Sequence, residues 1–199
     1  TSRYENGKWS TPNKIGDNLC AVQNLSVAEG NKDDNIVYTV DADGDLSTTG
    51  DKTLYVYSSY TGKTTKLAEN LESAVDTITI ANNSVVMWCS NGKLMQYSFK
   101  TGKTDTICSV DQDVANGFKL VTDNNGNYAL VYVKDRTNIC AMYLDTATLI
   151  WSKPVTVVTG DKYIEQLEAE YVNGNLTLVY NDTTVVESGD RYAVSSDLV

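Results

Sequence analysis

Leu54–Leu67 reads LYVYSSYTGKTTKL and Leu94–Ile107 reads LMQYSFKTGKTDTI. Set one above the other, the leading leucines, Tyr57 and Tyr97, Ser58 and Ser98, and the whole Thr-Gly-Lys-Thr segment fall in register. Each copy is a β-rich run, then a glycine that supplies the positive φ of a tight turn, then a second run. That pattern predicts a β-hairpin.

Working outward, each hairpin is the second half of a longer unit. Strands are expected at Val22–Glu29 and Ile36–Val40, then the acidic loop 41–52 and the first hairpin copy. The next cycle is shorter, with Thr77–Ala81, Val85–Cys89 and the second copy. A third cycle runs Phe118–Asp123, Tyr128–Val133, Ile139–Leu144 and Leu149–Val155, and a fourth has Ile164–Val172, Leu176–Tyr180 and a last strand near Arg191–Ser196. The second strand of every cycle carries an aliphatic residue followed by a large aromatic: Val37-Tyr38, Met87-Trp88, Val131-Tyr132 and Val179-Tyr180, spaced 50, 44 and 48 residues apart. A period in the forties with four strands per period is the signature of a β-propeller. Such sheets, apolar on both faces, are stable only when stacked on neighbours. The fold class is therefore all-β, a propeller of about four blades of four antiparallel strands, over a single domain 1–199. Its blades span 22–68, 75–108, 118–155 and 164–199, with an additional N-terminal strand over 9–15.

Trp9-Ser10-Thr11-Pro12 and Trp151-Ser152-Lys153-Pro154 are two copies of one motif, three cycles apart and both at the fourth-strand position. With strands labelled a to d, the chain reads end of c, d, three full sets, then a-b-c. Either the N-terminal d strand completes the last blade and closes a four-bladed ring, or the chain is part of a larger propeller. Thr1–Glu5 duplicates the c strand near Arg191–Ser196, which closure does not need. A part of a larger propeller would expose sheet edges, and so self-associate or pair with the missing portion.

Composition agrees. The chain has 13 Tyr beside 2 Phe, and Thr, Val, Asn and Asp are abundant, which favours strands and turns. A net charge of −10 from 16 basic and 26 acidic residues, with no Lys/Arg run, disfavours nucleic acid and anionic membranes. No apolar run approaches the roughly 18 residues of a membrane span, and no charged-then-apolar leader opens the chain, so a soluble module is expected. Cys20, Cys89, Cys108 and Cys140 show no zinc-type spacing and are expected as buried thiols.

The Trp-Ser-x-Pro strands, the loop Asp41-Ala42-Asp43-Gly44-Asp45-Leu46 and the Asn-Gly-Asn turns together resemble the repeat propellers of large secreted or surface-anchored bacterial proteins. The resemblance implies an extracellular or cell-surface adhesive or scaffolding module and brings no catalytic residues with it.

Histidine is absent, which removes Ser-His-Asp and Cys-His catalysis and histidine metal sites. Glu165, Glu168 and Glu170 lie on one expected first strand, with Glu168 and Glu170 on one side; paired acids of this kind could serve glycoside hydrolysis. Gly62-Lys63-Thr64 and Gly102-Lys103-Thr104 lack the upstream glycine and following helix of a phosphate loop and read as turns. The acidic loop gives the one metal candidate: Asp41, Asp43, Asp45 and Asp51 could converge oxygens on Ca²⁺, against the plain alternative of a solvated turn. No other cofactor is expected. Among the aromatics, Tyr60, Tyr163 and Tyr171 are the least constrained by packing. The expected function is non-enzymatic binding of a protein or glycan, with a propeller part of a carbohydrate-active enzyme and a structural spacer as alternatives.

Overall fold

A computed structural model describes residues 1–16, 21–28, 35–45, 47–71, 76–80, 85–90, 92–110, 117–123, 125–188 and 191–199. Cys20, Leu46, the loop over 30–34 and the Asn82-Asn83 turn lie outside these. The described residues are all β, in antiparallel sheets, and contain no helix long and apolar enough to cross a membrane. Chain packing divides them into two compact units, Thr1–Ser73 and Ala74–Val199.

The first unit begins with β1 (Tyr4–Glu5) and β2 (Lys8–Trp9), a two-stranded sheet. They are joined at Asn6-Gly7, both with positive φ, as a two-residue turn of this hand requires. A four-stranded sheet follows in the order β3 (Val22–Ala28), β4 (Asn35–Asp41), β5 (Lys52–Ser58), β6 (Lys63–Leu71). All seven residues of β4 are buried. On one face Ile36, Tyr38 and Val40 pack with Tyr57, joined by Ile15 and Tyr55.

In the second unit, β7 (Asp76–Ile80), β8 (Val85–Ser90), β9 (Lys93–Ser98) and β10 (Lys103–Ser109) form a sheet in sequence order. The next sheet has β11 (Phe118–Thr122), β12 (Tyr128–Lys134) and β13 (Asn138–Asp145). Its outer strand is split into β14 (Ile150–Trp151) and β15 (Val155–Thr159), both paired to β13. Last come β16 (Leu167–Val172), β17 (Asn175–Ser188) and β18 (Arg191–Leu198). The first strands neighbour one another, β11 lying between β7 and β16, as the inner strands of propeller blades do.

The third blade shows why the sheets must stack. Side chains alternate faces along a strand, so Tyr128, Leu130 and Tyr132 of β12 point one way and pack with Met87, Cys89 and Leu94 of the second blade. Ala129, Val131 and Val133 point the other way and pack with Leu167, Leu178 and Tyr180 of the fourth. The aliphatic–aromatic pair seen in sequence is thus an instruction for two interfaces. Met87 and Val131 face the following blade, while Tyr132 and Tyr180 face the preceding one.

Four strand assignments need correction. The fourth strand expected over 9–15 is regular only at Lys8–Trp9, and Leu149–Val155 is interrupted between Trp151 and Val155. In both places the Ser-x-Pro motif breaks the ladder, since proline has no N–H to give it. Ser152 exchanges hydrogen bonds with Tyr143 through its own amide (2.8 Å) and hydroxyl (3.0 Å), and Ser10 does the same with Arg3 (2.7 and 2.8 Å). The first strand of the last cycle starts at Leu167 rather than Ile164, because Asn181 Oδ1 takes the amides of Glu165 and Gln166 at 3.0 and 2.8 Å. The largest departure is β17, which runs on to Ser188 instead of ending at Tyr180. Its first part pairs with β16 and its second with β18. Cys89, Cys108 and Cys140 are thiols, all at the interface of the second and third blades.

Leu130 is fully buried between two blades. Leu130→Ala is expected to destabilise the fold by about 2–5 kcal/mol, read as a lower urea midpoint with an unchanged slope.

Candidate functional site

The first unit carries a groove of about 370 Å³ between its N-terminal hairpin and the β5–β6 turn, lined by Arg3, Ser10, Asn13, Tyr57, Ser59 and Tyr60 among others. One wall is set by the serine clamp, which holds Arg3 and Ser10 side by side. Ser2 Oγ donates to the Ser10 carbonyl at 2.7 Å, and Asn13 Nδ2 donates to the Tyr57 hydroxyl at 3.5 Å. The opposite wall is the turn of the opening sequence motif. Gly62, at φ 66°, gives its amide to the Ser58 carbonyl (2.9 Å), and Ser58 Oγ accepts from the Thr61 amide (3.1 Å) and bonds its hydroxyl (2.9 Å). The turn holds Tyr60 at its tip, 75% exposed. Gly102 closes on Ser98 in the same way (2.8 Å), so both Gly-Lys-Thr segments are hairpin turns with no phosphate-loop geometry.

In the acidic loop, Asp41, Asp43 and Asp51 bring one carboxylate oxygen each to within 4.8 Å of one another. Asp45 is turned aside: its Oδ1 accepts from the Ser47 amide at 3.0 Å and the Ser47 hydroxyl at 2.6 Å. Asp41 is buried, and its Oδ2 accepts from the buried Lys52 ammonium at 3.1 Å while Oδ1 accepts from the Gly44 amide at 2.9 Å. Thr48 Oγ1 donates to Asp51 Oδ2 at 3.0 Å, whereas Asp51 Oδ1 is shielded from solvent without a hydrogen-bond partner. Sequence reading found the acids but missed Lys52, whose position next to Asp51 signals only an exposed charge pair. Burial acts to raise the Asp41 pKa; Lys52, Gly44 and Asp43 outweigh it and hold it below the usual carboxylate value.

The remaining candidates are dispersed. Glu168 and Glu170 share an exposed face of β16, as expected of a strand, and Glu168 bonds Lys119 at 3.0 Å. Glu165 lies before the strand. Tyr38, Trp88 and Tyr132 are buried and Tyr180 is half-buried in the blade interface. Tyr171 is half-buried there too, and Tyr163 bridges Thr183. The groove was not legible as a unit, because its walls lie more than forty residues apart and each reads as an ordinary turn.

No family model matches the chain, and no curated protein matches it in sequence. Solved structures do match. An auxiliary nutrient binding protein from Bacteroides thetaiotaomicron is similar at 15% identity over 94% of this chain and 49% of its own, with a TM-score of 0.56. A variant of the Aleuria aurantia lectin in complex with Fucα1-6GlcNAc is similar at 12% identity over 100% of this chain and 70% of its own, with a TM-score of 0.53. The fucose-specific lectin of the same organism matches at 12%, 98% and 68%, with a TM-score of 0.51. The lectins are β-propellers, and at these identities the likeness is one of fold. The chain spans about half the length of the nutrient binding protein it matches.

Asp41 also makes a pH prediction. Its folded pKa lies below its ordinary 3.8, so its contribution to stability is complete above that value and is lost as pH falls through the lower, folded one. Acid titration of the melting temperature should show this loss below about pH 4. Lys52→Met removes the partner cation, raises the Asp41 pKa and moves the loss to higher pH; an unchanged acid limb would refute the assignment.

Proposed function

We propose that this chain is a non-enzymatic, extracellular propeller module that binds a glycan in the groove between the N-terminal hairpin and the β5–β6 turn. The observation that carries the reading is the pairing of one exposed ring, Tyr60, with a wall of directional hydrogen-bonding groups, Arg3, Ser10, Asn13 and Ser59. A sugar presents just such a combination: a C–H face that stacks on an aromatic ring and hydroxyl edges that need donors and acceptors at fixed positions. Pockets of this size normally combine an apolar contact with a few convergent polar groups, and tyrosine supplies both a flat face and a hydroxyl. The names of two of the matching structures, one a fucose-specific lectin and one an auxiliary nutrient binding protein, support the choice of ligand class and make fucosylated oligosaccharides the first probes.

A glycan array containing fucosylated and non-fucosylated structures should give binding that Tyr60→Ala weakens at least tenfold, about 1.4 kcal/mol, with the melting temperature unchanged because the ring is exposed. Silence across the array, or hits indifferent to Tyr60→Ala and Asn13→Ala, would defeat the proposal.

The same reading includes a Ca²⁺ ion on the acidic loop. Three clustered carboxylates and the Lys52 ammonium leave two net negative charges, which a divalent cation balances, and Ca²⁺ prefers carboxylate and other hard oxygen ligands. Asp51 Oδ1 offers a lone pair with no donor. Of the four acids considered from sequence, Asp41, Asp43 and Asp51 would be ligands and Asp45 would brace the turn. Ca²⁺ added after EDTA should raise the melting temperature of the wild type and leave Asp51→Asn unmoved; equal melting with and without Ca²⁺ would end this part of the proposal.

A further inference from the structure

The groove has a wall rich in hydrogen-bond donors and free of acids. Both of its sides lie within the first unit, Thr1–Ser73. None of the nine described residues that line it is Asp or Glu, although the chain carries 26 acids and a net charge of −10; the charged side chain among them is Arg3. Exposed charges farther apart than about 8–10 Å are largely screened at physiological salt. A ligand in the groove therefore meets this local balance rather than the field of the whole chain.

The hydrogen bonds inside the wall add to the same bias. A hydroxyl has one proton to give and two lone pairs with which to accept. Ser10 Oγ accepts from the Arg3 amide at 2.8 Å, and the hydroxyl of the buried Tyr57 accepts from Asn13 Nδ2 at 3.5 Å. In each case the protein occupies an acceptor site, and the hydroxyl proton is the part that remains to be donated. Ser2 Oγ gives its own proton to the Ser10 carbonyl at 2.7 Å; its long contact to Ser10 Oγ, 3.4 Å, is a weak competitor for the Ser10 proton. The Arg3 guanidinium has only N–H donors. A neutral sugar hydroxyl both donates and accepts, whereas a carboxylate only accepts, and its two oxygens match the guanidinium fork.

We infer that the groove takes an acidic saccharide, with the carboxylate of a uronic-acid residue on Arg3 and a sugar ring on Tyr60. The inference rests on the glycan reading above and narrows it to a class of ligand. Arg3 is then the residue that sets specificity. Its part in the hairpin is played by its backbone, which exchanges hydrogen bonds with Ser10 at 2.7 and 2.8 Å, so a substitution of the side chain leaves the clamp in place.

Calorimetric titration with galacturonate oligosaccharides and with their methyl esters, which have the same rings without the charge, tests this. The acid should bind about fivefold more tightly than the ester, the scale of an exposed charge pair, and the ratio should shrink at about 1 M NaCl, where charges are screened within roughly 3 Å. Arg3→Gln should bring the acid down to the affinity of the ester while leaving the ester affinity and the melting temperature unchanged. Arg3→Lys should keep part of the preference, retaining the charge without the fork. Equal affinity for acid and ester, or binding confined to neutral fucosylated glycans, with Tyr60 still required, would overturn the inference and leave the glycan reading standing. A preference for the acid that survives Arg3→Gln, or tighter binding of sulfated galacto-oligosaccharides than of galacturonates, would overturn it as well. Binding of neither the uronates nor the fucosylated glycans would defeat both readings.

Discussion

Everything in the second unit depends on the third blade being buried on both faces. A strand with one wet face can tolerate a change of neighbour; β12 cannot. Its large residues, Tyr128, Leu130 and Tyr132, fill the gap to the second blade, and its small ones, Ala129, Val131 and Val133, let the fourth approach. A one-residue slip would exchange the two sets, placing rings where alanine and valine belong and leaving voids where rings belong. The repeated aliphatic–aromatic pair therefore sets register and stacking order together.

The fourth blade shows the same constraint relaxed. Its Leu167, Leu176, Leu178 and Tyr180 face the third blade. The opposite face carries Glu168, Glu170, Thr177, Val172 and Val179, all exposed. Carboxylates on that face stay hydrated where the second and third blades bury aliphatic side chains. The aromatic member of the pair, Tyr180, packs on the third blade as Tyr132 packs on the second, and the aliphatic member, Val179, is exposed.

How much of this was legible follows from how local each signal is. Period, two-residue Asn-Gly turns and the Thr-Gly-Lys hairpins depend on neighbours in sequence, and they predicted an all-β chain and most of its strands. The run from Asn181 to Thr184 is polar and reads as a loop; it continues β17 because Asn181 binds two amides ahead of β16 and Thr183 bonds Tyr163 and Ser196, contacts made across more than ten residues. The acidic loop was half legible. Its spacing brought Asp41 and Asp43 together, but Asp45 belongs to Ser47 and the buried partner is Lys52, a residue type rarely found without exposure.

The two Trp-Ser-x-Pro copies separate what a motif encodes from what a site needs. Ser10 and Ser152 make the same pair of hydrogen bonds to Arg3 and Tyr143, and each ends a short strand ahead of a proline. The backbone geometry is thus carried by the serine and proline alone. The tryptophans share that geometry and differ in surroundings: Trp151 is roofed by the second blade, while Trp9 stands in the open beside Tyr4. Burying a tryptophan side chain is among the larger apolar gains a protein surface can make; Trp151 makes it and the exposed Trp9 does not. The hairpin that carries Trp9 also walls the groove, so whatever fixes the hairpin also fixes Arg3 and Ser10 opposite Tyr60.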